Sequence, residues 1–487
     1  MKRTVFLSAF VGICIFFFFL LSIGIAFAAR SFAPSSASPT IFLPLVATSP
    51  AIAPALIQPN DLQYVGAFRL PDGAARPRTF EYGGNAMTFN PNGDPTGARD
   101  GFLGSLFVTG HERMAYGELP DGNQVAEITI PAPIISRDVT ALNQAGFIQN
   151  FRNVAQGFYI GLAEIPRVGM AYLNHPATDA KIHLAWGQHI QPDPPDASHA
   201  WFEPNLAAPN LRGTWFIGNQ SVYSVNGYLF ELPNAWANQH TGGRPLGTGR
   251  YINGGWSGMG PALFAYKSWV DDRGTPASNG ARLPETPLLL YAKSTETDNI
   301  ERALNGYQHA DEWEGGAWLT TNTGKSAVMF AGTKSNGAKY WYGFLNPAGA
   351  HLPCVYQEFV TQFTVCRLAN GAPCPPSDLI ECAGHTSERG WWSARMDAQI
   401  ILYDPNDLAR VARGEMQTWE PQPYATLDID DQLYLNPAGI EIEMLGAGAQ
   451  RRYRIGDVAF DRARGILYVL ELFADDAKPV VHIWRIK

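Results

Sequence analysis

Cysteine is scarce in this chain. There are five in 487 residues, and Cys14 lies in an apolar N-terminal run. The other four, Cys354, Cys366, Cys374 and Cys382, crowd into one stretch without a Cys-x-x-Cys pair, so a zinc knuckle is the weaker reading and two disulfides the stronger. Charge is sparse too, at 16% of residues, and acids outnumber bases 44 to 36. An acidic, dilute charge argues against phosphate-backbone binding, which needs a basic face, so no nucleic-acid partner is expected. Ready-made catalytic frames are also missing. There is no His-Glu-x-x-His and no Gly-x-Ser-x-Gly, and the Gly324-Lys325-Ser326 triplet has Leu319 where a phosphate loop needs its first glycine.

The N-terminus supplies an address. Lys2 and Arg3 precede a long apolar stretch that ends at Ala26-Phe27-Ala28, which reads as a secretory signal over 1–28, with an uncleaved membrane anchor as the alternative. Its removal takes away two bases and leaves 34 against 44 acids, a net charge of −10. Residues 29–59 are rich in Pro, Ser and Ala and read as a tether. The expected location is secreted or at the cell surface, where oxidised cysteines persist.

Residues 60–487 carry a repeated strand pair. Its copies are GGNAMTFNP with GSLFVTGHE (83–112), VGMAYLNHP with AKIHLAWGQH (168–189), GGWSGMGPALFAY with TPLLLYAKS (254–294), GGAWLTTNT with KSAVMFAGTK (315–334) and IGDVAFDRA with GILYVLELF (455–473). Short runs rich in β-branched and aromatic residues, split by turn formers, are hairpins and not helices. Third strands are expected at QVAEITIP, NGYLFELP and QIILYDP, and fourth strands at FIQNFRNVA, GRYIN and YATLDI. Short helical pieces follow two of the third strands, at 234–238 and 406–412. The pattern predicts an all-β fold, a β-propeller of four-stranded blades, five in number with six as the alternative. Each blade is expected to carry its own core. The last unit lacks a fourth strand, which LQYVGAFRL (62–70) can supply, closing the ring. A Cys-containing insertion interrupts the pattern at about 345–390, and a monomer is expected.

The wording of the N-terminal stretch (LQYVGAFRLP, EYGGNAMTFNP, LFVTGHE) and of residues 389–487 (RGWW, QIILYDPNDLARVARGEM, RYRIGDVAFDRARGILYVLE, KPVVHIWRIK) resembles a family of uncharacterised secreted bacterial β-propeller-like proteins. The resemblance implies an exported propeller and carries no reaction and no site residues.

Candidate sites must therefore come from the residues themselves. Inner strands of a propeller start at one channel mouth, and Glu81, Glu164, Asn253 and Glu314 precede expected inner strands. Oxygen ligands converging there could hold a cation such as calcium. Glu314, beside Asp311 and Glu312, is also the first candidate for an acid catalyst, and His111 with Glu112 the second. His183 and His189 share a strand face as further candidates. Arg389, Trp391, Trp392 and Trp313 could bind a ligand, the tryptophans by stacking on sugar faces. The reading is a ligand-recognition or scaffold module for an extracellular glycan, small molecule or protein. The alternative is an extracellular hydrolase of glycosides, esters or lactones that uses channel carboxylates.

Overall fold

The computed structural model describes residues 55–487 apart from 100, 112–123, 156, 159–166, 188–196, 221–223, 251–257, 272, 294–301, 309, 342–352, 361–362, 367–390, 436–450 and 452–453. All of them belong to the second of the chain's two units, Ala53–Lys487. The signal sequence and most of the tether lie outside the described residues.

The first strand, β1 (Leu62–Arg69), is set aside for the last blade. Blade one is β2 (Met87–Asn90), β3 (Gly101–Thr109), β4 (Gln124–Pro131) and β5 (Phe147–Asn153). Blade two is β6 (Arg167–His175), β7 (Asp179–Gly187), β8 (His199–Phe202) and β9 (Arg212–Ile217). Blade three is β10 (Tyr228–Glu231), β11 (Leu246–Gly249), β12 (Ala262–Tyr266) and, after a short β13 (Arg282–Leu283) that joins β9 in parallel, β14 (Glu285–Leu290). Blade four is β15 (Glu312–Thr320) and β16 (Ser326–Trp341), then the hairpin β17 (Pro353–Val360) and β18 (Phe363–Cys366), then β19 (Trp391–Tyr403) and β20 (Ala425–Asp428). Blade five is β21 (Ile455–Asp461), β22 (Ile466–Asp475) and β23 (Lys478–Ile486), completed by β1, which runs antiparallel to β23 with Leu62 opposite Ile486. The inner strands β2, β6, β10, β15 and β21 contact one another in that order and return to β2, so the fold is a five-bladed β-propeller.

Three expectations about the blades are corrected, the first being the third copy of the strand pair, whose ALFAY and TPLLL runs are β12 and β14, the outer strands of blade three and not its inner hairpin. NGYLFELP is the inner strand of blade three and not the outer part of blade two, and the run that ends in GRYIN contributes β11, the second strand of blade three. Pattern alone misplaced them because β8 and β9, the true outer strands of blade two, are short and interrupted by loops. Nor does each blade carry its own core. Five apolar clusters lie between neighbours: Val168 and Met170 meet Phe107, Ala171 meets Leu229, Tyr228 meets Trp318, Leu319 meets Val458, and Tyr468 meets Met87. Each strand face is thus buried against the next blade. At about 1.5–3 kcal/mol for each large apolar side chain fully buried, the ring is held by these shared layers.

Closure is reinforced along the outer edge. Arg69 and Ala67 of β1 pair with Gln144 and Ile134 of the β4–β5 connection, covering an edge that would otherwise be open. Ahead of β1, Leu56 bridges Ser326, and Lys325 lies 2.6 Å from Asp61. The helix α1 (Asn234–His240) follows β10. A second helix, α2 (Pro405–Ala412), follows β19; Asp404 caps its start by accepting from the Asn406 amide at 2.8 Å, and Gly414, at φ +72°, ends it.

Candidate functional site

All five inner strands run the same way along the channel, so one mouth, here the upper, gathers their starts and the other, the lower, their ends. The upper end is tight. A Cβ on Gly456 would sit 2.3 Å from the Gly84 carbonyl oxygen, one on Gly315 2.8 Å from the Val458 nitrogen, and one on Gly169 2.7 Å from the Tyr228 Cα. Glycine at these lead-ins lets one inner strand lie directly on the backbone of the next. That is the physical content of the glycine-rich repeat.

Polar groups are sealed at this tight end. The Asp457 carboxylate accepts from the Met87 amide of the neighbouring blade at 2.9 Å and from the Val458 amide at 2.8 Å. His111 is buried and donates from Nδ1 to the Glu81 carbonyl at 3.0 Å. Arg454, also buried, donates to Asp430 at 2.9 Å. Asp311 is paired with Lys334 at 2.9 Å and accepts from the Ser335 amide; burial pushes its carboxyl pKa up and the Lys334 ammonium opposes that shift.

The residues singled out from sequence scatter. Glu314 is 1% exposed at the start of β15, whereas Glu81 is exposed, and Glu164 and Asn253 lie outside the described residues. Of the expected ring of oxygens, only Glu81 and Glu314 fall among the described residues. Asn253 also loses its rationale, because blade three begins its inner strand at β10. Glu112, His189 and Arg389 lie outside the described residues as well. Trp313 is no stacking surface: it is 2% exposed and packs in the layer between blades three and four with Trp318 and Phe330. Trp391 and Trp392 open β19 opposite Trp341 and Tyr340. Cys354 and Cys366 are register partners across β17 and β18, and Cys374 and Cys382 fall outside the described residues.

His183 is buried between blades two and three, with Nδ1 3.3 Å from the Ser268 hydroxyl. Its neighbour His199 lies between the hydroxyls of Ser198 and Thr248. Burial pushes both imidazoles down to about 3, so both are neutral.

Sequence reading missed a carboxylate trio. Ligand oxygens of Asp397, Asp428 and Asp430 lie within 4.8 Å of one another on blade four. Arg395 and Asn336 already bond to Asp397, and Arg454 to Asp430, so cationic and amide donors occupy part of the trio.

It missed the lower mouth altogether. There the strands spread and enclose a cavity of about 320 Å³ to which all five inner strands contribute. Met87, Met170, Leu229 and Trp318 line it from within the buried inter-blade layers, Phe460 is partly exposed, and Tyr172, Asn174, Glu231 and Arg462 bring polar groups. Arg462 is held in place by donating to the carbonyls of Trp318 at 3.3 Å and Glu231 at 3.1 Å. Its guanidinium is 3.8 Å from the Glu231 carboxylate, too far for a hydrogen bond. Burial raises the Glu231 carboxyl pKa and lowers that of Arg462, each only partly offset by the other. The remaining carboxylate, Asp461, is committed to Arg464 at 2.7 Å and to the Ala463 and Arg464 amides of its own turn. The signal available in the sequence is the charged turn DRARG (461–465) that ends the fifth inner strand.

No family model matches the chain, and no curated protein matches it. Among solved structures it is similar to the holo form of the pyranose dehydrogenase PQQ domain from Coprinopsis cinerea, at 9% identity and a TM-score of 0.32, over 85% of this chain and 98% of that one.

Proposed function

We propose that the protein is an exported recognition module of the cell surface, a propeller that binds a small molecule in the lower mouth of its channel. The observation that carries this reading is the cavity of about 320 Å³ with walls from every blade. Its size falls at the lower end of the roughly 300–1,000 Å³ typical of ligand sites, and its lining combines apolar walls with a few polar groups. The hydrolase alternative needs two carboxyl groups free to act on one bond. Of the two carboxylates that line the cavity, Asp461 is committed to Arg464, which favours binding over hydrolysis.

Ala463 is exposed and lines the cavity, so Ala463→Trp is expected to plug the mouth without disturbing a blade core. Thermal melts of the full chain against a panel of small metabolites test the reading. A ligand that raises the wild-type midpoint and leaves that of Ala463→Trp unmoved supports it, and shifts equal in both proteins overturn it.

On the same reading, an oxidising location lets the four cysteines of the insertion form two disulfides. The register of β17 and β18 favours Cys354 with Cys366. Non-reducing peptide mapping that links Cys354 to Cys374 or Cys382 would refute that pairing.

A further inference from the structure

Glu231 and Arg462 stand at the lower mouth as a long ion pair, without a hydrogen bond between the two side chains. The guanidinium donates to two backbone carbonyls and keeps further N–H groups to donate, and 3.8 Å separates it from the carboxylate. No hydrogen bond to the Glu231 carboxylate occurs among the described residues, yet burial disfavours its charge. A ligand group between them is asked to donate on one side and accept on the other.

From this geometry we infer that the cavity takes a neutral polyhydroxylated ligand, a small saccharide or similar polyol, whose adjacent hydroxyls bridge Glu231 and Arg462. The inference rests on the proposed lower-mouth site. A hydroxyl is both donor and acceptor, so it satisfies an ionised carboxylate and a guanidinium together. An ammonium group would gain Glu231 and be repelled by Arg462, and a carboxylate the reverse, so the two charges select against simple ions of either sign. Asn174 adds an amide at the rim, and the Tyr172 hydroxyl, which accepts from Asn92 at 3.2 Å, keeps its own proton to donate. The partly exposed Phe460 offers an apolar surface to the carbon face of a sugar ring.

The test uses the full chain and three probes that share a phenyl group: phenyl β-D-glucopyranoside, benzylamine and benzoate. Binding is read by saturation-transfer NMR and by titration calorimetry. The glucoside is expected to bind the wild type at least tenfold more tightly than either ion, and to lose at least tenfold in affinity with Glu231→Ala, whose melt should match the wild type. Glu231→Gln, which keeps the shape and an acceptor, should fall between. If benzylamine or benzoate binds best and Ala463→Trp blocks it, the ligand class is wrong while the site stands. If the glucoside binds and Glu231→Ala leaves its affinity unchanged, the bridge is wrong. If no probe shows binding that Ala463→Trp removes, the lower-mouth reading fails and takes this inference with it.

Discussion

The two mouths of the channel are made by the same five strands and yet have opposite character. At the upper mouth glycines bring strand backbones into contact, and Asp457, Arg454 and His111 are locked into the rim. At the lower mouth the strands have diverged enough to leave a cavity, and its charged residues, Glu231 and Arg462, remain partly exposed and incompletely paired. Polar groups closest to the axis are thus structural at one end and available at the other. Strand convergence, and not the number of charged residues, decides which end can receive a ligand.

The largest effect expected from breaking this contrast is at the upper end. Lys334→Met leaves the Asp311 carboxylate buried without its cation, and a broken buried pair costs about 3–5 kcal/mol. Denaturant melts should show that loss, with much of it recovered when Asp311→Leu is added. A smaller loss, about 1–3 kcal/mol, is expected from Gly456→Ala or Gly315→Ala, because backbone must move to admit the Cβ. The control is Gly146→Ala, whose Cβ meets nothing nearer than the Thr129 hydroxyl at 3.7 Å, and it should stay within about 0.5 kcal/mol. Equal effects at the three positions would show that the upper end is not tight.

Acid sharpens the same comparison. His183 and His199 titrate at about 3 in the fold against 6.5 as free side chains, so below pH 6.5 the unfolded chain binds protons that the folded chain refuses. Stability is therefore expected to fall from pH 6.5 towards 3, by up to about 1.4 kcal/mol per pH unit for each histidine. His199→Gln should flatten that slope in melts taken as a function of pH. The smallest stability change is expected at the lower mouth, where Ala463→Trp should shift unfolding by less than about 0.5 kcal/mol while removing ligand binding. A large loss of stability there would mean that the lower mouth is packed as tightly as the upper.

Much of the architecture could be read from the chain. Lead-in glycines at 83–84, 315–316 and 456 marked true inner strands, and LQYVGAFRL was recognisable as the missing strand of the last blade. The reading failed at blade three, where β10 is only four residues long and opens on Gly227, a weaker mark than the Gly254-Gly255 pair further on. Trp313 was misjudged because a tryptophan beside acids looks like a surface residue. A bulge between Trp313 and Gly315 disturbs the alternation that would have assigned its face. Glu231 and Arg462 are 231 positions apart and carry no motif.

By itself the sequence determined the elements: strand periodicity, turn formers and glycine spacing are local properties, and four of the five repeats with one displaced strand fall where a closed five-bladed ring needs them. Only the tertiary structure decided where the cores lie, because each strand face is buried by a different blade, and which channel end is open, because the convergence of five backbones appears in no single repeat. The approach of Glu231 to Arg462 was decided there too, since two residues of distant blades become neighbours only when the ring closes.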